Sequence, residues 1–295
     1  MKIKLSPLSL LYGNILVYRQ RFAMYTRVIK NPYLTLLKTF FFKPPWLIIL
    51  KTNQKRIVLD KKDLFETVYL LNHPLKGSEV RYAVKNTNAT VQLKTVRGND
   101  GSEVFEQNIY DWLPVANKFV VDIGASIGDS PLYFASKGAK HVFAYEADAE
   151  IFQIAICNIE ENSYENLITI ENKIVMGCVS HDSVYTEPNK TRVMPVTLDQ
   201  IVKEHQIKDG VLKIDCEGCE YGVILSASAE ILRHFSHIQM EYHFGAKDLK
   251  KRLIDLDYDV KVSRNRYAKS PDTGILMKAG DLYATRIGEV NGITK

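Results

Sequence analysis

Two stretches of this 295-residue chain combine acids and glycines at spacings that could hold a ligand. The first is Val-Val-Asp-Ile-Gly-Ala-Ser-Ile-Gly-Asp-Ser at 120–130, where a β-branched apolar run ends in a glycine-containing loop and gives way to a helical pattern. Gly124 and Gly128 carry no Cβ, so backbone amides there can come close to a ligand at a tight strand-to-helix turn. Asp122, Gly124, Ala125, Gly128, Asp129 and Ser130 are therefore candidate cofactor contacts. A second strand pattern at 141–145 runs into Glu146, an acid placed to accept hydrogen bonds from ribose hydroxyls. The glycine spacing separates two cofactor classes. In the dinucleotide fingerprint G-x-G-x-x-G a backbone closes on a pyrophosphate, whereas here Ser126 and Asp129 hold the second and third glycine positions. A carboxylate at Asp129 would repel phosphates, but a cofactor with an ammonium group and no phosphate tolerates both acids. S-adenosylmethionine is such a cofactor, and a nicotinamide dinucleotide is disfavoured. The simpler competing reading is a plain strand-to-helix turn with a solvent-facing acid.

The second stretch, Val-Leu-Lys-Ile-Asp-Cys-Glu-Gly-Cys-Glu-Tyr at 211–221, is an apolar strand that ends in three acids. Ligands of an open parallel sheet bind outside the carboxyl ends of its strands, which places Asp215 and Glu217 beside the first loop as candidates for catalysis. Capping of the following helix is the alternative use of both carboxylates. A further strand at 237–243 carries Glu241 and His243 on one face by its period of two. His243 is the expected general base for a substrate hydroxyl, with a carboxylate to orient it. A divalent metal on Asp215, Glu217, Glu241 and His243 is chemically admissible, since hard oxygens suit magnesium, but no metal is expected to be required. Cys216-x-x-Cys219 lacks a matching second pair for structural zinc and is flanked by acids that raise thiol pKa values. Its thiols are expected to pack as small apolar side chains.

These residues need an alternating scaffold. Strands are expected at 119–123, 141–145, 167–170, 211–215 and 238–242, with helices at 131–137, 149–161, 198–205 and 221–234 between them. Two closing strands follow at 259–262 and 282–286. Five alternating units and a hairpin-like pair are the layout of a class I methyltransferase, a Rossmann-like, mostly parallel seven-stranded α/β sheet with flanking helices. Residues 1–50 read as helical until Pro44-Pro45, and short β-type runs follow at 46–50, 56–59 and 90–93. A small α+β extension over 1–100 is therefore expected before a main domain at 101–295, the boundary lying near Gly-Asn-Asp-Gly-Ser at 98–102.

Hydrophobic residues at 46% and charged residues at 25% suit a globular chain with a sizeable core, and a net charge of +5 does not by itself indicate nucleic acid. Four cysteines do not form a disulfide framework for a chain of this size, so a reducing cytoplasm is expected. Met1 to Tyr12 shows no secretory pattern, and the apolar run from Leu36 to Leu50 is too short and too interrupted to span a bilayer. Peripheral membrane contact through the basic, aromatic-rich residues 18–38 is the alternative to a helix packed on the body.

In order, the elements Val-Asp-Ile-Gly-Ala-x-x-Gly-Asp-Ser at 121–130, Tyr-Glu at 145–146, Val-Thr-Leu-Asp at 196–199, Leu-Lys-Ile-Asp-Cys-Glu-Gly-Cys-Glu at 212–220 and Met-Glu-Tyr-His at 240–243 resemble the FkbM family of S-adenosylmethionine-dependent methyltransferases. The resemblance covers about residues 103–290. It implies Asp122, Gly124 and Gly128 as the cofactor loop, Glu146 as the ribose ligand, Asn172 as an adenine contact, and Asp215 and Glu217 beside the substrate. Ala147-Asp148-Ala149 departs from the proline-containing turn common in the family. The activity implied is O-methylation of a sugar, glycolipid or other small metabolite. An RNA methyltransferase that reads RNA through its N-terminal region, and an inactive adapter of the same fold, are the alternatives. The acceptor and the oligomeric state are not legible.

Overall fold

The computed structural model describes Tyr25 and residues 29–43, 46–49, 55–58, 79–96, 100–177, 185–186, 192–269 and 276–288. They divide into two compact units, a smaller one over Met1–Ser78, Val96–Asn99 and Arg266–Met277 and a larger one over Glu79–Thr95, Asp100–Asn265 and Lys278–Lys295. The smaller unit contains helix α1 (Pro32–Phe41), whose first residue is a proline with no amide hydrogen to leave unpaired. Strands β1 (Trp46–Ile49) and β2 (Lys55–Val58) pair antiparallel in it. The helix expected up to Pro44 is interrupted at residues 29–31, where Ile29 forms a β-bridge and the chain bends, and the basic residues 18–21 lie outside the described residues. Among the described residues no helix is long and apolar enough to cross a membrane.

The larger unit opens with the hairpin β3 (Glu79–Ala83) and β4 (Thr90–Lys94), whose alternation buries Val91 and Leu93. The main sheet follows as β5 (Phe119–Ile123), α2 (Asp129–Ser136), β6 (His141–Tyr145), α3 (Ala149–Glu161) and β7 (Ile168–Glu171). A side excursion, β8 (Lys173–Met176), β9 (Tyr185–Thr186) and β10 (Arg192–Thr197), forms a separate three-stranded sheet in the order β8-β10-β9. Its short strands, one interrupted by Pro195, give no sustained alternation in the sequence. The chain returns through α4 (Leu198–Glu204), β11 (Gly210–Ile214), α5 (Glu220–Ser226), α6 (Ala229–Leu232), β12 (Phe235–Tyr242), α7 (Lys247–Ile254) and β13 (Tyr258–Val262). Strand β14 (Arg266–Lys269) precedes the long closing strand β15 (Leu276–Arg286).

The main path runs β13-β15-β12-β11-β5-β6-β7. Neighbours from β12 to β7 are parallel, and β15 runs antiparallel to both β12 and β13. This is the expected class I methyltransferase sheet, with its single reversed strand one place in from the edge. The helix expected over 221–234 is two helices instead. Ser228 breaks it, because its hydroxyl accepts the Ile231 amide and starts α6 as an N-cap. Thr197 starts α4 through a capping box with Gln200, so the Thr-Leu-Asp element has a structural use at the helix start.

The period of two divides the sheet chemically. Val121 and Ile123 of β5, Leu212 and Ile214 of β11 and Ile238 and Met240 of β12 join one core with Leu198, Ile201, Val223, Ile224, Leu249 and Leu253 of α4, α5 and α7. The alternate positions carry Asp122, Lys213 and Gln239, which are direct neighbours across β5, β11 and β12. Three polar side chains in adjacent central strands are costly unless paired. They mark the face on which the site is built.

Candidate functional site

The first loop is held from both sides. The amides of Gly124 and Ala125 both donate to the Tyr145 carbonyl, at 2.9 and 3.0 Å, and Gly124, Ser126 and Gly128 all take positive φ. A Cβ on Gly124 would lie 1.8 Å from the Asp215 carbonyl oxygen. Glycine is thus demanded there by the neighbouring strand end, a use distinct from the ligand approach expected of it. Asn158, fully buried on α3, donates to the Ile127 carbonyl at 2.8 Å and also pairs with the Lys94 backbone, tying the loop to the hairpin.

Beneath the loop lies an enclosed ion pair. Lys213 Nζ is 2.9 Å from Asp122 Oδ1 and donates to the Gly124 carbonyl at 2.6 Å, while Ser130 Oγ donates to Asp122 Oδ2 at 2.7 Å. Burial works against the charge on Lys213, but Asp122 and Asp215 hold its pKa above the ordinary lysine value. Burial pushes the Asp122 carboxyl up, opposed by Lys213. Asp122 and Ser130, expected as cofactor contacts, are turned inward to fix the loop. The sequence reading missed Lys213, although a lysine inside an otherwise apolar strand was its signal. Asp129, the first residue of α2, accepts from the Ser130 amide, and desolvation raises its carboxyl to about 7.

Glu146 stands at the tip of β6. One carboxylate oxygen accepts the Ser126 amide at 2.8 Å and the other the Asp148 amide at 2.9 Å. Burial raises its pKa and these two amides oppose the rise. Each oxygen has a second lone pair, so the carboxylate suits a vicinal diol such as a ribose. Asn172 sits in the break between β7 and β8, where its amide nitrogen donates to the Glu146 and Ala147 carbonyls at 2.9 Å each. It props the Glu146 turn. Asp148, in the place of the expected proline turn, caps α3 by accepting the Glu150 and Ile151 amides.

The second wall comes from β11 and β12. The register that sets Lys213 beside Gln239 sets Asp215 beside Glu241 one step further on, and His243 follows on the same face. Ligand atoms of Asp215, Glu241 and His243 all lie within 4.8 Å of one another. The imidazole is almost wholly buried and bound at both nitrogens, Nδ1 to the fully buried Glu220 and Nε2 to Glu217 at 3.2 Å. Burial opposes its charge, yet the hydrogen bonds to Glu217 and Glu220 more than offset this and push it up to about 10. A ring so paired carries its proton near neutral pH and donates rather than accepts. That is at odds with the free general base expected of His243, and the causes are Glu217 and Glu220, the latter a motif acid without an assigned role. Glu217 is the outlier of the group, with 79% of its side chain exposed on a positive-φ turn.

That turn is closed by a Cys216–Cys219 disulfide with Cα atoms 5.6 Å apart. The expectation of two free thiols is corrected. The turn brings the side chains within bonding reach, and both still pack against the apolar core as foreseen. Cys157 is free and exposed.

A doubly wound sheet with one reversed strand, a glycine loop at the end of β5 and an acid at the tip of β6 define a class I methyltransferase. Residues 122–260 match the family model described as the methyltransferase FkbM domain, and this stretch carries the site. No curated protein matches the chain. Among solved structures, it is similar to precorrin 8W decarboxylase of Methanobacterium thermoautotrophicum, at 16% identity over 59% of this chain and 84% of that one, TM-score 0.36. It is similar to M. capricolum TrmK in complex with S-adenosyl-homocysteine, at 16% identity over 59% of this chain and 64% of that one, TM-score 0.38. It is also similar to Synechocystis magnesium protoporphyrin IX methyltransferase with bound SAM, at 13% identity over 63% and 80% of the two chains, TM-score 0.36. At such scores the fold rests on the strand order itself.

Proposed function

We propose that this chain transfers a methyl group from S-adenosylmethionine to a hydroxyl oxygen of a sugar, glycolipid or other small metabolite. The methyl donor follows from the FkbM methyltransferase domain, and the loop chemistry fits it. Glu146 offers paired acceptors for a diol, and the acids around the loop suit a cationic, phosphate-free ligand. Transfer to oxygen is carried by one observation, the gathering of Asp215, Glu241 and His243 on the face that also bears the loop. The sulfonium carbon–sulfur bond breaks as the oxygen–methyl bond forms. The thioether leaves, and the hydroxyl proton passes to a carboxylate of this group, Asp215 or Glu241, beside the protonated His243. Positioning two reactants in line can supply about 7–11 kcal/mol of a barrier, against about 10²–10⁴-fold from proton transfer, so the fixed geometry of both walls matters more than any single base.

Calorimetric titration with S-adenosylmethionine and S-adenosylhomocysteine tests the donor half of the proposal. Saturable binding of both, weakened in Glu146→Ala, is expected, and binding of neither overturns it. Incubation with methyl-labelled cofactor and separate glycan, lipid and RNA extracts tests the acceptor half. Label stable to base in the glycan or lipid fraction is expected, and label confined to RNA replaces this acceptor class with nucleic acid.

A further inference from the structure

Charge is spread very unevenly along this chain. Residues 1–59 hold 11 lysines and arginines and no acid, whereas residues 60–295 hold 28 basic residues and all 34 acidic ones. The mild overall charge of +5 therefore conceals a segment at +11 and a remainder at −6. An acid-free basic run of this length is drawn to anionic partners, most strongly at low salt.

The same segment turns apolar side chains to water. Leu34, Leu37 and Phe41 recur at i, i+3 and i+7, which sets them in one stripe along α1, and they are 53%, 53% and 77% exposed. Thr35, roughly on the opposite side of the helix, is buried, and its hydroxyl donates to the Asn31 carbonyl at 3.1 Å. The ordinary arrangement of a surface helix is thus reversed. In sequence, Lys38 lies within the helix and the exposed Lys43 just beyond it. Leucine and phenylalanine on one stripe, with lysines beside them, are what a helix lying in a bilayer interface requires.

Each half of the pattern narrows the occupant. A nucleic acid offers phosphates to the basic residues but nothing comparable to Leu34 and Leu37. A second copy meeting the stripe across a two-fold axis would bring one segment at +11 against another. A bilayer with anionic headgroups satisfies both halves, phosphates for the cations and acyl chains for the stripe.

We infer that α1 and the acid-free segment around it dock this protein on an anionic phospholipid surface, with Leu34, Leu37 and Phe41 entering the acyl boundary. At ten residues α1 is too short to span a bilayer and lies in its surface. The inference stands apart from the proposed methyl transfer, and its test needs no turnover.

Full-length protein is floated with vesicles of phosphatidylcholine alone and of phosphatidylcholine mixed with phosphatidylglycerol. Binding to the mixed vesicles only, falling steeply as sodium chloride is raised, is expected. Lys38→Gln/Lys43→Gln should weaken it about 10–30-fold, since each basic residue near such a surface contributes roughly fivefold. Leu37→Ser/Phe41→Ser should weaken it at least about tenfold with an unchanged circular-dichroism melting curve, because both positions are exposed. Absence of binding to the mixed vesicles at low salt overturns the inference with no variant needed, and so does equal binding to both kinds of vesicle. Binding untouched by Leu37→Ser/Phe41→Ser removes the stripe from the contact and overturns it as well. Without vesicle binding, a dimer in sedimentation that this double variant dissociates gives the stripe to a second copy, and salt-sensitive binding of a polyuridine strand gives the segment to nucleic acid.

Discussion

The two walls of the crevice are built from similar residues in opposite ways. On the wall formed by β5 and β6, every carboxylate described is engaged by a neighbour: Asp122 by Lys213 and Ser130, Glu146 by two backbone amides, Asp129 by the Ser130 amide. On the wall formed by β11 and β12, acids outnumber cations, and one of them, Glu217, stands in solvent on a left-handed turn. The first arrangement fixes a backbone shape before any ligand arrives. The second ties two carboxylates to one imidazole, one of them from a solvent-exposed turn. A preshaped loop suits a cofactor common to a whole fold class, as proposed for the first wall, and the second wall is the one proposed to face the acceptor.

If the first wall is a structural lock, breaking it should cost the most. Lys213→Met leaves Asp122 buried and uncompensated, and a loss of about 3–5 kcal/mol is expected in urea unfolding. Adding Asp122→Leu should return part of that loss, and a double variant no better than the single one would mean that Asp122 is not the injured partner. Glu146→Ala removes an acceptor from two backbone amides together with the proposed ribose contacts. A fall of about 10–100-fold in S-adenosylmethionine affinity is expected by calorimetry, larger than any fall in thermal stability accounts for. Unchanged affinity would move the ribose contact elsewhere.

The same contrast governs what could be read in advance. The five parallel strands were legible because β-branched runs of about five residues alternate with helical spacing. The glycine loop and Glu146 were legible because their chemistry is local. Lys213 was quoted within a motif, yet its pairing with Asp122 is visible only once β11 lies beside β5 in register. Glu220 was hidden for the same reason, since 23 residues separate it from His243. The break at Ser228 was missed because the apolar spacing continues across it, and the disulfide because a two-residue gap permits bonded and free thiols alike.

Asp129 tests how tightly the first wall is closed. Its carboxyl titrates at about 7 in the folded chain against 3.8 as the ordinary value. The folded state therefore holds a proton that the unfolded state releases, and stability falls as pH rises from about 4 to about 7, then levels. Asp129→Asn removes this dependence, so its advantage over the wild type should grow across that interval to at most about 4 kcal/mol, a shift of several degrees or more in Tm. A constant difference from pH 4 to 8 would mean that the carboxyl is well solvated.

Glu217 sets the opposite limit. With most of its side chain in water, Glu217→Gln should change unfolding free energy by less than about 0.5 kcal/mol, because a neutral amide keeps a hydrogen bond to Nε2 and the surface position carries little packing. Its effect should appear in the crevice instead. With one carboxylate fewer around His243, turnover should change while cofactor affinity stays within about twofold. If Glu217→Gln instead unfolds the chain as Lys213→Met does, the acceptor wall is a lock of the same kind and the division between the walls fails.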